Sequence, residues 1–168
     1  QKSGLNVVAR DKANAKLTAF RRNIFFPEFL FELGLSGHKE ERFLLKIEAQ
    51  DQETDYPIEM KYVQRCGFFF SLPTPPDSVL LAMKFSALLA RAKGRDFYDT
   101  MFLMQQAKPS YSFLRERIGI ATPEQLKGAL DAKLRTIDLN VKKRDFEHLL
   151  FDVHSAEKIL LFPTTVER

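Results

Sequence analysis

The chain reads as an α+β protein, with strands first, helices second and the change near residue 73. Two observations carry that reading. From Arg42 to Gln50 the pattern has a period of two, with Phe43, Leu45, Ile47 and Ala49 on one face and Leu44, Lys46, Glu48 and Gln50 on the other. After Pro73 the apolar spacing becomes helical. The expected organisation is a sheet-forming part, residues 1–73, and a helical part, residues 74–168, packed on it. A length of 168 residues fits one domain or two small ones, and 45% hydrophobic residues suffice for a core.

The elements follow in order. Leu5 to Arg10 and Leu17 to Phe20 are strand candidates, with Asp11-Lys12-Ala13-Asn14 as a turn. Phe29 to Leu33 fits a strand or a short helix. Ile58, Met60 and Tyr62 alternate with Glu59, Lys61 and Val63, and the polar link Asp51 to Pro57 suits an antiparallel connection to the strand before it. Phe68 to Leu72 is the last strand.

Thr74-Pro75-Pro76-Asp77 has the form of a capping box, with Thr74 as N-cap, Pro75 at the first helical position and Asp77 reaching back. The helix runs from Pro75 to Lys93, and Gly94 fits the left-handed position that ends it. Asp96 caps the next helix, Asp96 to Ala107, with Asp99 at its third position, and Pro109-Ser110 breaks it. Tyr111 to Arg117 is a short helix. Thr122-Pro123-Glu124-Gln125 is a second capping box, opening a helix to about Arg135. Lys142 to Phe151, with a stripe of Phe146, Leu149 and Leu150, and Ser155 to Leu161 complete the set.

Composition bounds the function. A net charge of +4 permits a nucleotide or nucleic-acid partner without demanding one, because the basic residues fall in short, scattered blocks. No apolar run reaches the length of a membrane span, and the first residues lack a signal-peptide pattern. The single cysteine, Cys66, excludes an intrachain disulfide, favours a reducing cytoplasm and reads as a small packed residue near a turn. His38, His148 and His154 are scattered, and no CxxC motif occurs.

The densest chemistry lies between Leu80 and Asp99. Lys84 sits in an otherwise apolar helix, where a charge needs a partner or a ligand unless its stem reaches the surface. Arg91, seven residues on, shares its helix face. Arg95, Asp96 and Asp99 follow just past the helix end, and the two aspartates share a face of the next helix. Cations and carboxylates gathered at a bend suit a polyphosphate or metal-phosphate site. The competing reading makes the aspartates caps. Glu48 likewise reads either as a solvent-facing strand residue beside Lys46, paired across to Glu59 or Lys61, or as a metal-binding carboxylate.

The pattern K-x-x-A-L-L-x-R-x-K-G-R-D-x-Y-D, Lys84 to Asp99, resembles the later motifs of the AbiE-type nucleotidyltransferase toxins (AbiEii/AbiGii). Glu32 to Glu40 and the strand Leu45-Lys46-Ile47-Glu48 are similar to that family in the same order, so the resemblance spans roughly residues 1 to 105. It implies a nucleotidyltransferase core of mixed sheet and helices, then a helical C-terminal part. It implies an enzyme that uses Mg²⁺ (or Mn²⁺) and an NTP, with tRNA as an acceptor and an antitoxin as counterpart. Glu48 then matches a metal-binding carboxylate, Lys84 and Asp96 are catalytic, and Lys46, Lys84, Arg91, Arg95 and Asp99 hold nucleotide or phosphate.

The departure matters as much. The family's Gly-Gly or Gly-Ser turn and Asp-x-Asp pair are absent, and Gly4-Leu5-Asn6-Val7-Val8 is similar to a strand that follows them. The expectation is a C-terminal portion of a longer protein, inactive alone, whose sheet edge near Glu48 supports self-association. The alternative is a non-catalytic remnant that serves as a binding or interaction module.

Overall fold

The computed structural model describes residues 6–11, 19–51 and 53–166. Leu5, the turn residues after Asp11, and Leu17 and Thr18 lie outside them. The class is α+β, as expected. The chain divides into two compact units, Gln1–Glu53 and Thr54–Arg168.

The first unit is a three-stranded antiparallel sheet of order β1-β2-β3, with β1 at Val8–Asp11, β2 at Ala19–Phe26 and β3 at Phe43–Gln50. The ambiguous Phe29 segment is helical: α1 spans Phe29–Glu32. Its Phe29 ring meets Phe26 and Phe43 at centroid distances of 5.8 and 5.6 Å, which fixes α1 against the sheet end. The alternation read for β3 holds. Phe43, Leu45 and Ile47 oppose Phe26, Ile24 and Arg22, while Lys46 and Glu48 oppose Asn23 and Arg21. The apolar face stays largely exposed, with Phe43, Leu45 and Ile47 each at least 40% accessible.

The second unit opens with an antiparallel hairpin, β4 (Glu59–Arg65) and β5 (Phe68–Thr74). This corrects the antiparallel connection expected through Asp51 to Pro57, because β3 pairs with β2 and β4 with β5. The reason is the turn. Cys66 and Gly67 both have positive φ, 50° and 79°, the backbone of a two-residue turn that matches strand twist. Cys66 is accordingly exposed at the tip and not packed.

The helices are α2 (Asp77–Arg91), α3 (Gly94–Met104), α4 (Tyr111–Ile118), α5 (Pro123–Leu134), α6 (Leu139–Arg144) and α7 (Phe162–Val166). Among the described residues every buried apolar side chain belongs to this unit. Leu81, Phe85 and Leu88 of α2 meet Phe97, Leu114 and Leu130 from the next three helices in one core. Phe97 packs edge-on against Phe162 with centroids 5.0 Å apart. At the second expected capping box the Thr122 half forms, Thr122 Oγ1 accepting from Gln125 N at 3.3 Å, but Gln125 Oε1 accepts from Ala121 N at 2.7 Å, one residue before the N-cap, in place of the N–H of Thr122. No helix among the described residues is long and apolar enough to cross a membrane.

Several ends differ from expectation. Thr74 closes β5, and its hydroxyl reaches the Glu59 carbonyl at 3.5 Å. Pro76 takes the N-cap with ψ 152°, because a Pro-Pro pair keeps the chain extended one residue longer. The left-handed residue that ends α2 is Ala92, φ 47°, and Gly94 instead starts α3. Glycine is required there for another reason. A Cβ on Gly94 would lie 1.9 Å from the Lys142 carbonyl oxygen and 2.7 Å from Phe146 Cδ1. The Lys142 to Phe151 helix breaks into α6, capped by Asp138, and a 3₁₀ turn at Glu147–Leu149. The final segment is a 3₁₀ helix, Val153–Leu161, running into α7.

Candidate functional site

The junction of α2 and α3 gathers four of the residues singled out by sequence. The two-residue break at 92–93 folds α3 back beside α2, bringing residues about 15 positions apart along the chain into contact. Lys84 Nζ donates to Asp99 Oδ2 at 2.6 Å. Arg91 makes a two-pronged contact with Asp96, Nε to Oδ2 at 2.9 Å and Nη2 to Oδ1 at 2.8 Å. Asp96 is fully buried, and its Oδ2 also accepts from Lys93 N at 3.2 Å. Its carbonyl oxygen takes the Thr100 hydroxyl at 2.6 Å, so both ends of the residue are fixed.

Asp96 is therefore not the cap of α3. It is the third residue of the helix and reaches back to the N-cap residue Lys93. Asp99 lies beyond the first turn and serves Lys84 instead. The reading of Lys84 as a charge in need of a partner is met by that carboxylate, and its side chain keeps 35% exposure.

Electrostatics fit this geometry. Burial is the strongest influence on Asp96 and opposes its charge. The Arg91 hydrogen bonds and charge, the Lys93 N–H and the Lys84 charge together outweigh it and hold the carboxyl below the usual carboxylate range. The hydrogen bond to Asp96 raises Arg91 above its ordinary value against the opposing effect of burial, with the charges of Asp96 and Asp99 adding to the rise. Asp96 uses two of the five guanidinium N–H donors and Asp99 one of the three ammonium donors. Both cations stay partly open to solvent, Arg91 at 47% exposure. The arrangement can hold two cations in fixed positions and offer their unused donors to phosphate oxygens.

Arg95 stands apart from this network. With Lys93 and Gly94 it lines a cavity of about 330 Å³ whose other side is Asp145, Phe146 and Leu149. Lys46 and Glu48 belong to the first unit. There Glu48 Oε1 forms ion pairs with Arg21 Nε at 2.6 Å and Lys46 Nζ at 3.4 Å. This corrects the expected pairing of Glu48 with Glu59 or Lys61. Lys61 instead holds Asp77 at the start of α2. Sequence reading missed Arg21 because its strand was ended at Phe20; extending it to Phe26 puts Arg21 opposite Glu48.

Glu48 is a poor metal site by itself, being one carboxylate already matched by two cations. Among the described residues no group of three or more His, Cys, Asp or Glu could hold a metal ion. The described residues therefore do not by themselves make a site for Mg²⁺.

A family model described as the nucleotidyl transferase AbiEii toxin of type IV toxin–antitoxin systems matches residues 8–158. The chain belongs to the AbiEii family. No curated protein and no solved structure matches it. The AbiEii match covers residues of both units and includes the whole α2–α3 junction. It makes the protein one of a nucleotidyltransferase type whose counterpart is an antitoxin.

Proposed function

We propose that this AbiEii chain contributes the phosphate-holding part of a cytoplasmic enzyme that transfers a nucleotide from an NTP to an acceptor such as tRNA. In that reaction the acceptor hydroxyl attacks the α-phosphorus, the α–β bridging bond breaks, and pyrophosphate leaves. The protein's work is mainly positioning and charge neutralisation. Lys84 and Arg91 meet the triphosphate charge with donors left over from their ion pairs. Asp99 positions Lys84. Asp96 is buried and its oxygens are occupied, so it acts through Arg91 as a positioning residue and not by touching substrate. Arg95 and Lys46 are further phosphate contacts in this reading.

The observation that carries the proposal is the bidentate hold on a half-exposed Arg91 by a fully buried carboxylate. Such a pair sets a guanidinium in one orientation before any ligand arrives. Mg²⁺ or Mn²⁺ is the cofactor of this reading, with Glu48 as one ligand. Among the described residues Glu48 belongs to no group of three or more possible metal ligands. The same shortage, with the missing Asp-x-Asp pair, makes the chain alone inactive.

The test measures two things on this chain. Labelled transfer from each NTP to total tRNA with Mg²⁺ or Mn²⁺ should be absent, and clear turnover would refute the inactivity. Equilibrium binding of NTP should be present and weakened roughly tenfold, about 1.4 kcal/mol, by Arg91→Ala. Binding that ignores Arg91 would refute the assigned site.

A second reading, a non-catalytic interaction module, is favoured by one observation. The β4–β5 hairpin leaves Tyr62, Phe68 and Phe69 about 70% exposed, and patches of that kind mark interaction surfaces. A chain that binds no NTP yet captures a partner through the hairpin would support it.

A further inference from the structure

A cleft of about 620 Å³ opens in the second unit between α2, α5, α7 and the loop that joins α3 to α4. None of Lys84, Arg91, Asp96 or Asp99 lines it. Its floor is the core itself. Leu81 and Phe85 from α2 and Leu126 and Leu130 from α5 are each at most 5% exposed, so the floor is rigid and apolar. The volume lies within the range of small-molecule sites, which bury an apolar body and orient it with a few polar groups.

The polar residues that line it are Gln105, Lys108, Tyr111, Glu124, Lys127 and Thr165, and of these Lys108, Lys127 and Glu124 carry charge. Their charges are not equivalent. The Glu124 carboxylate is committed to the start of its own helix, where a backbone N–H and the Thr122 hydroxyl hold its pKa below the ordinary value. Neither Lys108 nor Lys127 forms an ion pair with a described residue. Burial, and then the charge of Glu124, raise the Tyr111 pKa, so its hydroxyl remains a donor at neutral pH. An apolar floor is thus bordered by two uncommitted cations and a hydroxyl donor, while the one carboxylate is already used.

We propose that this cleft binds a small amphipathic anion, an apolar body of about ten carbons bearing one carboxylate. The body covers the Leu81–Phe85–Leu126–Leu130 floor. The carboxylate is recognised at the rim by Lys108 and Lys127, with the Tyr111 hydroxyl as a further donor. Charge complementarity selects an anion over a neutral or cationic body of equal size, because Lys108 and Lys127 attract the first and repel the last of these.

The experiment titrates the whole chain with decanoate, decan-1-ol and decylamine, following amide NMR shifts and the melting temperature. Decanoate should bind saturably, shift amides of α2, α5, α7 and the α3–α4 loop with the start of α4, and bind at least about tenfold tighter than decanol. The Lys108→Gln/Lys127→Gln double variant, on exposed positions, should fold normally and remove that preference while leaving decanol unchanged. Ala107→Trp, which narrows the cleft, should weaken both. Equal binding of decanoate and decanol by the unaltered chain would overturn the proposal. So would shifts elsewhere on the unit, or no saturable binding at millimolar decanoate.

Discussion

Arg91 and Asp96 clasp each other across the left-handed residue that ends α2, with Nε–Oδ2 at 2.9 Å and Nη2–Oδ1 at 2.8 Å. The pair does two jobs at once. It locks the bend between two helices, and it leaves a cation facing outward in a set orientation.

The first prediction concerns acid. The Asp96 carboxyl lies below its unfolded value of about 3.9, so its stabilisation is present above that pH and is lost as pH falls through the lower folded value. Asp96→Asn should destabilise the fold by about 2 kcal/mol at neutral pH, because Arg91 is half exposed and is rehydrated in part. Below about pH 4 the variant and the parent should converge. Urea melts across the pH range read this directly, and a pH-independent gap would refute it.

Lys84 separates binding from stability. Its pair with Asp99 is about one-third exposed on both sides, the class of ion pair worth about 0–1 kcal/mol. Lys84→Ala should leave the melting temperature nearly unchanged and weaken NTP binding roughly tenfold. In a preparation competent for transfer, it should abolish activity. A fully active Lys84→Ala protein would end its assigned role.

Two glycines should respond in opposite directions to alanine. Gly94→Ala forces a methyl into the Lys142 carbonyl and should cost about 3 kcal/mol, by overpacking at a helix contact. Gly128, inside α5, meets nothing within 4 Å, and Gly128→Ala should stabilise by about 0.5–1 kcal/mol. Thermal melts of the two variants give the comparison, and a tolerated Gly94→Ala would show that α6 does not press on α3.

The exposed sheet surfaces should make the chain self-associate. Phe43, Leu45 and Ile47 form one open apolar face, and the hairpin carries Tyr62, Phe68 and Phe69. Light scattering should show a mass that rises with concentration, and Ile47→Lys or Phe69→Ser should reduce it. A strictly monomeric parent chain would refute the expectation.

Much of this was legible in sequence, for physical reasons that differ by residue. The α+β order, the β3 faces and the Thr122 cap follow from local periodicity and local hydrogen bonds, which a sequence displays. The partners of Lys84 and Asp99 were not legible as a pair. Their contact depends on where the chain turns, and the turn came at Ala92 instead of Gly94. Gly94 looked like a helix terminator because glycine usually serves that end. Its actual constraint comes from Lys142, nearly fifty residues away, which local pattern cannot reveal. Asp96 reads in sequence as the cap of its helix; it lies at the third position instead, and its grip on Arg91 depends on the bend.

The hairpin tip has a practical consequence. Cys66 is the chain's single cysteine, and it is exposed at the outer end of an aromatic-rich surface. A maleimide dye attached there labels one position without any substitution. Its emission colour and anisotropy would then report whether the hairpin is bare or covered, turning a turn residue into a built-in probe of assembly.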